Sequence, residues 1–263
     1  MSKVFAIARV VRQEAMREGV FYAVLVVFTF LTAASPFYAF FAFHDTVKLV
    51  RDMGLASVTM AGLIIMLFTA SGGIAEDLER RTALLLLAKP VSRPAFVWGR
   101  YLGILQAVVV PMVWLTAVLI LVLLFGRFEG VRDSWRELAE GEILKGGLLA
   151  FVEVAVLAAA AVLFSTFASS AVTFLLTTAV FAFGHLSAYA TRHLAGREGI
   201  PAGLGRLVFA VLPDLEHFSA APRVGAGMPV PGEEVALAAL YGALFAGGLL
   251  ILAGLLFERR EIG

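Results

Sequence analysis

The stretch "VAVLAAAAVLFSTFASSAVTFLLTTAVFAFGHLSAYAT", residues 154–191, decides how the chain is folded. It runs for thirty-eight residues without an Asp, Glu, Lys or Arg. One α-helix of that length would extend ~57 Å, whereas the hydrocarbon core of a bilayer is about 30 Å thick. The chain must therefore turn back inside the run, and we expect the turn at the polar "STFASS", residues 165–170.

Other charge-free runs are also long enough to cross a bilayer, because a membrane-spanning helix needs about 20 apolar residues. They cover residues 19–43, 53–75, 101–126 and 235–257. The long run, extended upstream to residue 143, supplies two more spans. The sequence therefore predicts an all-α membrane protein with a single transmembrane domain over residues 1–263. Its six transmembrane helices are predicted at about 20–43, 54–75, 101–126, 144–168, 171–190 and 235–257.

Composition agrees with a membrane protein and excludes several kinds of site. The chain is 60% hydrophobic, whereas soluble domains are about 45–50% apolar. A net charge of +1 provides no broad basic surface for nucleic acid, and the absence of cysteine excludes thiol catalysis, disulfides and thiolate metal sites. The sequence contains no P-loop, HExxH or GxSxG motif. No metal-ligand spacing relates the histidines, which are His44, His185, His193 and His217.

The first eighteen residues have the pattern of an amphipathic helix. Apolar side chains recur at helical spacing, and charged residues interrupt the continuous apolar core that a signal peptide needs. We expect an interfacial helix over 1–18; the alternative is a cytoplasmic tail that continues into the first span. The apolar positions are Val4, Ile7, Ala8, Val11 and Ala15.

Basic residues orient the spans. Four precede the first span, whereas only Lys48 and Arg51 follow it, which favours cytoplasmic termini in an inner (cytoplasmic) membrane. Residues 76–100 are then cytoplasmic, and residues 191–234 form an extracytoplasmic loop. In that loop we expect a short apolar helix stopped by Pro213, followed by a flexible turn in "APRVGAGMPVPG".

The connecting segment "EDLERRTALLLLAKPVSRPAFVWGR", residues 76–100, holds eight charged residues, a run of four leucines and two prolines. Its acidic start suits a helix N-terminus, and Pro90 ends a helix. Ser92 can cap a second helix that has Pro94 in its first turn. The segment is predicted to be a rigid helix-turn-helix outside the bilayer; the alternative is an ordinary connecting loop.

Glu153 is the one acidic residue well inside a predicted span. A carboxylate within the membrane is costly, so it suggests a substrate path or a proton-linked role. The alternative is a neutral or hydrogen-bonded Glu at a helix interface.

The segment "EDLERRTALLLLAKPVSRPAFVWGRYLG" resembles the signature of type-2 ABC exporter permeases. An acidic pair, a leucine-rich stretch, Pro-Val-Ser-Arg and a basic residue with glycine follow one another in the family order. Arg81 stands where many members have glycine. The amphipathic N-terminus, the six spans, "LPDLEHF" and the terminal "FERREIG" extend the resemblance. It is nearest to the branch whose permease accompanies copper-site assembly of nitrous oxide reductase. The matching residues are Thr82, Leu86, Leu87, Pro90, Val91, Ser92, Arg93, Arg100 and Gly103.

This resemblance implies that the chain is a permease subunit and not an enzyme, with ATP and magnesium held by a separate ATP-binding subunit. Two permease chains would pair in the bilayer as a homodimer, without nucleic acid. Residues 76–100 would contain the coupling helix, residues 1–18 the connecting helix, and residues 191–234 an outer gate. The expected contacts with the ATPase are Glu76, Glu79, Arg80, Arg81, Thr82, Leu85, Leu86, Pro90, Ser92 and Arg93.

Three other functions stay open at this point. A secondary transporter or channel would depend on Glu153. An intramembrane enzyme would need a catalytic constellation that the sequence does not display. A membrane scaffold would recruit an ATPase without moving a substrate.

Overall fold

Every secondary-structure element in the described part of the chain is helical. The computed structural model describes residues 3–39, 46–71, 93–125, 141–194, 212–226 and 228–259. In chain order the elements are α1 (Lys3–Ala15), α2 (Gly19–Ala39), α3 (Thr46–Ser71), α4 (Arg93–Phe125), α5 (Glu142–Ser165), α6 (Ser170–Leu194), a 3₁₀ turn (Leu215–Phe218), α7 (Ala221–Gly225) and α8 (Gly232–Arg259).

The long charge-free run turns back where the sequence predicts. Helix α5 ends at Ser165 and α6 begins at Ser170. The last turn of α5 closes through the backbone, since the N–H of Thr166 donates to the carbonyl of Leu163 (3.1 Å) and that of Ala168 to Phe164 (2.9 Å). The prediction of a turn at residues 165–170 is confirmed.

Five helices in the described ranges are long and apolar enough to cross a bilayer. They cover Gly19–Tyr38, Val47–Ser71, Arg93–Phe125, Glu142–Ser165 and Gly232–Glu258; the apolar part of α6, Ser170–Leu186, is shorter. Their outer faces expose large apolar side chains such as Phe30, Phe37 and Leu244. Such surfaces suit contact with lipid, so the chain is a multi-pass membrane protein.

Helix α5 lies at the centre of the bundle. It is 72% buried over its most apolar part, compared with 22% for α2 and for α8. It packs against α3, α4, α6 and α8. Four consecutive alanines, residues 158–161, are buried in its middle. Small side chains let neighbouring helices approach closely, which favours association in lipid.

Helix α1 is separate from the first span and docks on α4. A turn at residues 16–18 divides it from α2, so it does not continue into that helix. Gly99 and Gly103 provide the docking surface. A Cβ at Gly103 would lie 2.6 Å from Cβ of Val11, and one at Gly99 would lie 2.8 Å from Cβ of Ile7. The Gly99-x-x-x-Gly103 spacing therefore serves close packing between α1 and α4.

Two helices start earlier than the apolar runs that predict them. Helix α3 begins at Thr46 and includes Lys48, Arg51 and Asp52 in its first turns. Helix α4 begins at Arg93 and continues without interruption to Phe125. Its 33 residues extend about 50 Å, longer than the ~30 Å hydrocarbon core, so part of the helix projects beyond a bilayer.

Candidate functional site

A cavity of about 160 Å³ lies between α3, α5, α6 and the segment 218–221. Most of its described wall is apolar, and the polar side chains among the described lining residues belong to Thr59, Glu153, His185 and Ser219. Cavities with apolar walls and a few convergent polar groups are the usual form of small-molecule sites. The lining residues are Leu55, Ala56, Thr59, Met60, Gly146, Ala150, Glu153, Phe181, His185, Phe218, Ser219, Ala220 and Ala221.

Glu153, singled out by the sequence, lies in this cavity at the middle of α5. Its side chain is 3% exposed. Among the residues that the structure describes, its Oε1 atom has no hydrogen-bond partner. The nearest charged or titratable neighbour of that oxygen is Nε2 of His185, at 3.5 Å. A buried carboxyl oxygen without a hydrogen bond is unusual in native proteins, so Glu153 is a candidate functional residue.

His185 faces Glu153 from α6, and its other ring nitrogen is already engaged. Nδ1 lies 3.1 Å from the carbonyl oxygen of Phe181, one turn earlier. A carbonyl oxygen only accepts hydrogen bonds, so this contact places a proton on Nδ1. In the neutral imidazole, Nε2 then carries a lone pair, and it lies 3.5 Å from Oε1 of Glu153. The two groups can thus share one proton, as a carboxylate with imidazolium or as a carboxylic acid with imidazole.

The sequence contains a signal for this pairing. Glu153 lies sixteen residues before Ser169 and His185 lies sixteen residues after it. Two helices that run antiparallel from a turn bring residues equally distant from that turn to the same level. Sequence reasoning identified the turn and Glu153 but missed His185, because it assigned no partner across the turn.

The segment after Pro213 closes one side of the cavity. Asp214 caps the 3₁₀ turn by accepting a hydrogen bond from the N–H of Glu216 (3.2 Å), and Leu215 and Phe218 are buried. Gly184 on α6 makes room for this turn, since a Cβ there would lie 2.7 Å from Cδ1 of Leu215. Residues 207–211, where the sequence predicts a short helix, lie outside the described ranges.

A second polar cluster fixes the segment around Val230 to the start of α5. We call this cluster, which consists of Glu142, Lys145 and Val230, the Glu142 clamp. Oε1 of Glu142 lies 2.6 Å from Nζ of Lys145, and Oε2 accepts a hydrogen bond from the N–H of Val230 (2.7 Å). Nζ of Lys145 also donates to the carbonyl of Val230 (2.8 Å). Sequence analysis missed this cluster, although the i, i+3 spacing of Glu142 and Lys145 is a visible signal.

The predicted flexible turn "APRVGAGMPVPG" is more ordered than expected. Residues Ala221–Gly225 form α7, and Val224 and Val230 are buried. Nη1 of Arg51 on α3 reaches the carbonyl of Val224 at 3.5 Å. Local backbone hydrogen bonds, such as that from the N–H of Met228 to the carbonyl of Arg223 (2.9 Å), combine with the contacts from α3 and α5 to hold this glycine- and proline-rich sequence in a defined conformation.

Arg93 is the one predicted ATPase contact within the described ranges. Its Nη1 donates to the carbonyls of Phe257 (3.0 Å) and Glu258 (2.7 Å), at the end of α8. The guanidinium carbon lies 5.9 Å from the ring centroid of Phe257. A cation at a helix C-terminus is stabilising, so Arg93 joins the start of α4 to the end of α8. The other predicted contacts, between Glu76 and Ser92, lie outside the described residues.

No group of three His, Cys, Asp or Glu side chains with the geometry for a metal ion occurs in the described ranges. His44 lies outside those ranges, and the side chain of His193 is not described. In the part of the chain that the structure describes, His185 is the one histidine that lies close to a buried carboxyl group; His217 pairs with Asp214 at the surface.

No protein-family model matches this chain, and no curated protein matches it significantly. Neither comparison assigns a fold or a function, so both follow from the residues and their geometry.

Proposed function

We propose that the chain is the membrane-spanning permease subunit of a type-2 ABC transporter, and that it exports a substrate as a homodimer. A separate ATP-binding subunit supplies ATP hydrolysis. The observation that carries this proposal is the order of residues in the segment 76–100: an acidic pair, Thr82, a leucine run, Pro-Val-Ser-Arg and a basic residue with glycine. The chain itself has no P-loop, so an ATP-driven role requires the partner subunit.

The surroundings of α4 support a mechanical role for that segment. Residues 76–92 lead directly into α4, whose first turn is tied to the end of α8 through Arg93. The next turns of α4 carry Gly99 and Gly103, against which α1 packs. A displacement of the segment would therefore reach α1, α4 and α8 together. Rigid connections of this kind suit a subunit that changes between two states when a partner binds nucleotide.

We further propose that the chain crosses the inner (cytoplasmic) membrane six times and that both of its termini lie in the cytoplasm. Helix α6 covers 25 residues in all, about 38 Å, which is long enough to cross the hydrocarbon core. Although its apolar part is shorter, we propose that α6 is the sixth span, which together with the five helices that are apolar over a full span makes an even number of crossings. Cytoplasmic termini agree with the four basic residues that precede the first span.

The test is copurification with an ATP-binding subunit, followed by ATPase measurements on the complex in lipid nanodiscs. We expect Arg80→Glu, Arg81→Glu or Leu85→Asp to remove the stimulation of ATPase activity by the permease while the helical bundle stays folded. Residues 127–142 connect the third and fourth predicted spans, so with cytoplasmic termini they lie on the opposite side of the membrane. Arg132→Glu, in that segment, is the matched control and should keep the stimulation. Unchanged stimulation and assembly in all three variants would exclude this segment as the coupling element.

A secondary transporter is the second candidate, and the Glu153–His185 cavity is the observation that favours it. Proteoliposomes separate the two functions. A secondary transporter moves its substrate when a pH gradient is imposed without ATP, whereas the proposed ABC permease needs the ATP-binding subunit and ATP.

A further inference from the structure

We propose that Glu153 and His185 form a binding site for a small primary ammonium ion, which replaces the single proton that the pair otherwise holds. The inference goes beyond the proposed transporter function, because it concerns the cavity alone and does not depend on an ATP-binding partner. It rests on the positions of Oε1 and Nε2, on the proton placed at Nδ1, and on the chemistry of the walls.

The two facing atoms are both acceptors when the shared proton leaves. Nδ1 of His185 keeps its proton and donates it in a hydrogen bond to the carbonyl oxygen of Phe181, so Nε2 of the neutral ring offers only a lone pair. Oε1 of Glu153 has no other hydrogen-bond partner in the described ranges. The unprotonated pair therefore has a charge of −1 and two acceptors that need a donor. A buried charge of this kind is costly unless it is paired, so either a proton or a cation must occupy the site.

The separation of the two acceptors suits an ammonium nitrogen. Oε1 and Nε2 lie 3.5 Å apart. A nitrogen placed about 2.8 Å from each atom, the usual length of a charge-assisted hydrogen bond, donates one N–H to each. Thr59 also lines the cavity and offers its Oγ1 atom as an acceptor for the third N–H. That hydroxyl donates its own proton to the carbonyl of Leu55 (3.2 Å), which leaves its lone pairs available to accept.

The walls favour an organic cation over a metal ion. Calcium takes 6–8 oxygen ligands and magnesium about six, and zinc usually takes three or four protein ligands. The cavity supplies one carboxyl group, one imidazole and two hydroxyls, and the rest of its wall is apolar. An alkyl stem can lie against Phe181, Phe218 and Met60, and aromatic faces also attract cations. A volume of about 160 Å³ has room for a small amine.

No other titratable group lines the cavity within the described residues. On α3, Asp52 lies against Gly225 rather than in the cavity. His217, close to the covering segment, is 71% exposed and pairs with Asp214 instead. Helix α8 carries no acidic or basic residue between Glu234 and Glu258, and the ionisable residues of α4 do not reach the wall. The proton balance of the site thus belongs to Glu153 and His185.

Binding is an exchange that conserves charge. The pair with its proton is neutral overall, and the pair with an ammonium ion is also neutral. Each cation that binds must therefore release one proton, which passes to the buffer, and no covalent bond forms or breaks. This stoichiometry distinguishes the proposed site from general attraction of cations to a carboxylate.

The experiment uses the full chain in lipid nanodiscs with ethylammonium as the probe. Calorimetric titrations in two buffers with different ionisation enthalpies count the protons released. We expect one ethylammonium ion to bind per chain with release of about one proton, and sodium not to compete. Glu153→Gln should abolish binding, whereas Glu233→Gln, the same change at an exposed residue of α8, should bind like the original protein.

A second variant keeps the proposal testable if Glu153→Gln fails to fold. His185→Leu leaves the carboxyl group in place but removes the second acceptor, and it should weaken binding about tenfold, as expected for one charged hydrogen bond. Absence of ethylammonium binding to the original protein, binding without proton release, equal affinity for sodium, or unchanged binding in a folded Glu153→Gln or His185→Leu variant would each overturn the proposal. None of these outcomes bears on the ATPase measurements.

Discussion

Glu142 and Glu153 are buried to the same degree on the same helix, but their surroundings differ. They are eleven residues apart on α5, about three turns, so both project from one face of the helix. Glu142 is 4% exposed and Glu153 is 3% exposed. Both oxygens of Glu142 are engaged, by Lys145 and by the N–H of Val230. Among the described residues, Oε1 of Glu153 has no hydrogen-bond partner, and Nε2 of His185 lies 3.5 Å from it.

The difference separates a structural carboxylate from one available for chemistry. Burying a charge is costly, and the cost is offset only when hydrogen bonds and an opposite charge replace water. The Glu142 clamp meets this condition and holds the segment 228–231 against α5. Among the described residues, Oε1 of Glu153 lacks such a hydrogen bond, and an ionisable group within a membrane span is a candidate for a functional role. Substitutions at the two positions should therefore affect different measurements.

The largest effect is expected for Glu142→Ala. It leaves Lys145, which is 29% exposed, and the N–H of Val230 without their acceptor. Removing one partner of a largely buried pair should lower the free energy of unfolding by about 3 kcal/mol. Denaturant unfolding of the protein in detergent micelles measures this change.

Glu153→Ala is the matched comparison for Glu142→Ala. Because Oε1 of Glu153 has no hydrogen bond to lose in the described ranges, we expect its free energy of unfolding to change by about 1 kcal/mol or less. Equal destabilisation by the two substitutions would remove the distinction between a structural and an exchangeable carboxylate.

The sequence predicts the parts of the fold that depend on the length and spacing of apolar residues. The turn at residues 165–170 follows from a charge-free run too long for one span. The Gly99-x-x-x-Gly103 spacing is another such pattern, because small residues four apart permit close helix packing, although it does not identify the partner α1. The early start of α3 could not be predicted from the sequence. It buries Arg51, and the carbonyl oxygen that accepts a hydrogen bond from Arg51 belongs to Val224, 173 residues later.

Of the candidate site, Glu153 could be predicted from the sequence, whereas the residues around it could not. Glu153 stands out because a carboxylate within an apolar run is rare. His185 and the segment 218–221 join it only through the antiparallel arrangement of α5 and α6 and the return of the chain over them. The Glu142 clamp depends on main-chain atoms of Val230, and any residue other than proline offers those atoms. Side-chain patterns therefore contain no information on that partner.

A smaller effect is expected for Gly184→Ala. This substitution tests whether the 3₁₀ turn Leu215–Phe218, which covers the cavity, moves independently of the Glu142 clamp. The new Cβ would lie 2.7 Å from Cδ1 of Leu215 and 3.1 Å from the carbonyl oxygen of Pro213, so the 3₁₀ turn must move away from α6. Overpacking of this kind costs about 2 kcal/mol. We expect hydrogen exchange to increase at Leu215 and Phe218 but not at Val230.

Gly247→Ala is the control for that substitution. It lies in α8, where an added Cβ meets nothing within 4 Å, and alanine favours a helix over glycine. The control should be neutral or slightly stabilising. Faster hydrogen exchange at Val230 in Gly184→Ala would show that the 3₁₀ turn and the Glu142 clamp move as one unit. The comparison between Glu142 and Glu153 would then lose its structural basis.

The smallest effect is expected for Arg223→Ala, which removes an ion pair with Glu234. These side chains are 51% and 49% exposed, unlike the carboxyl group of Glu142. Exposed ion pairs contribute little because water and salt screen them, so the free energy of unfolding should fall by about 0.5 kcal/mol or less. The same denaturant titration, repeated at low and high salt, checks this value. A loss as large as that of Glu142→Ala would mean that burial does not decide the strength of the polar contacts in this segment, and that the Arg223–Glu234 pair helps to hold it against α5.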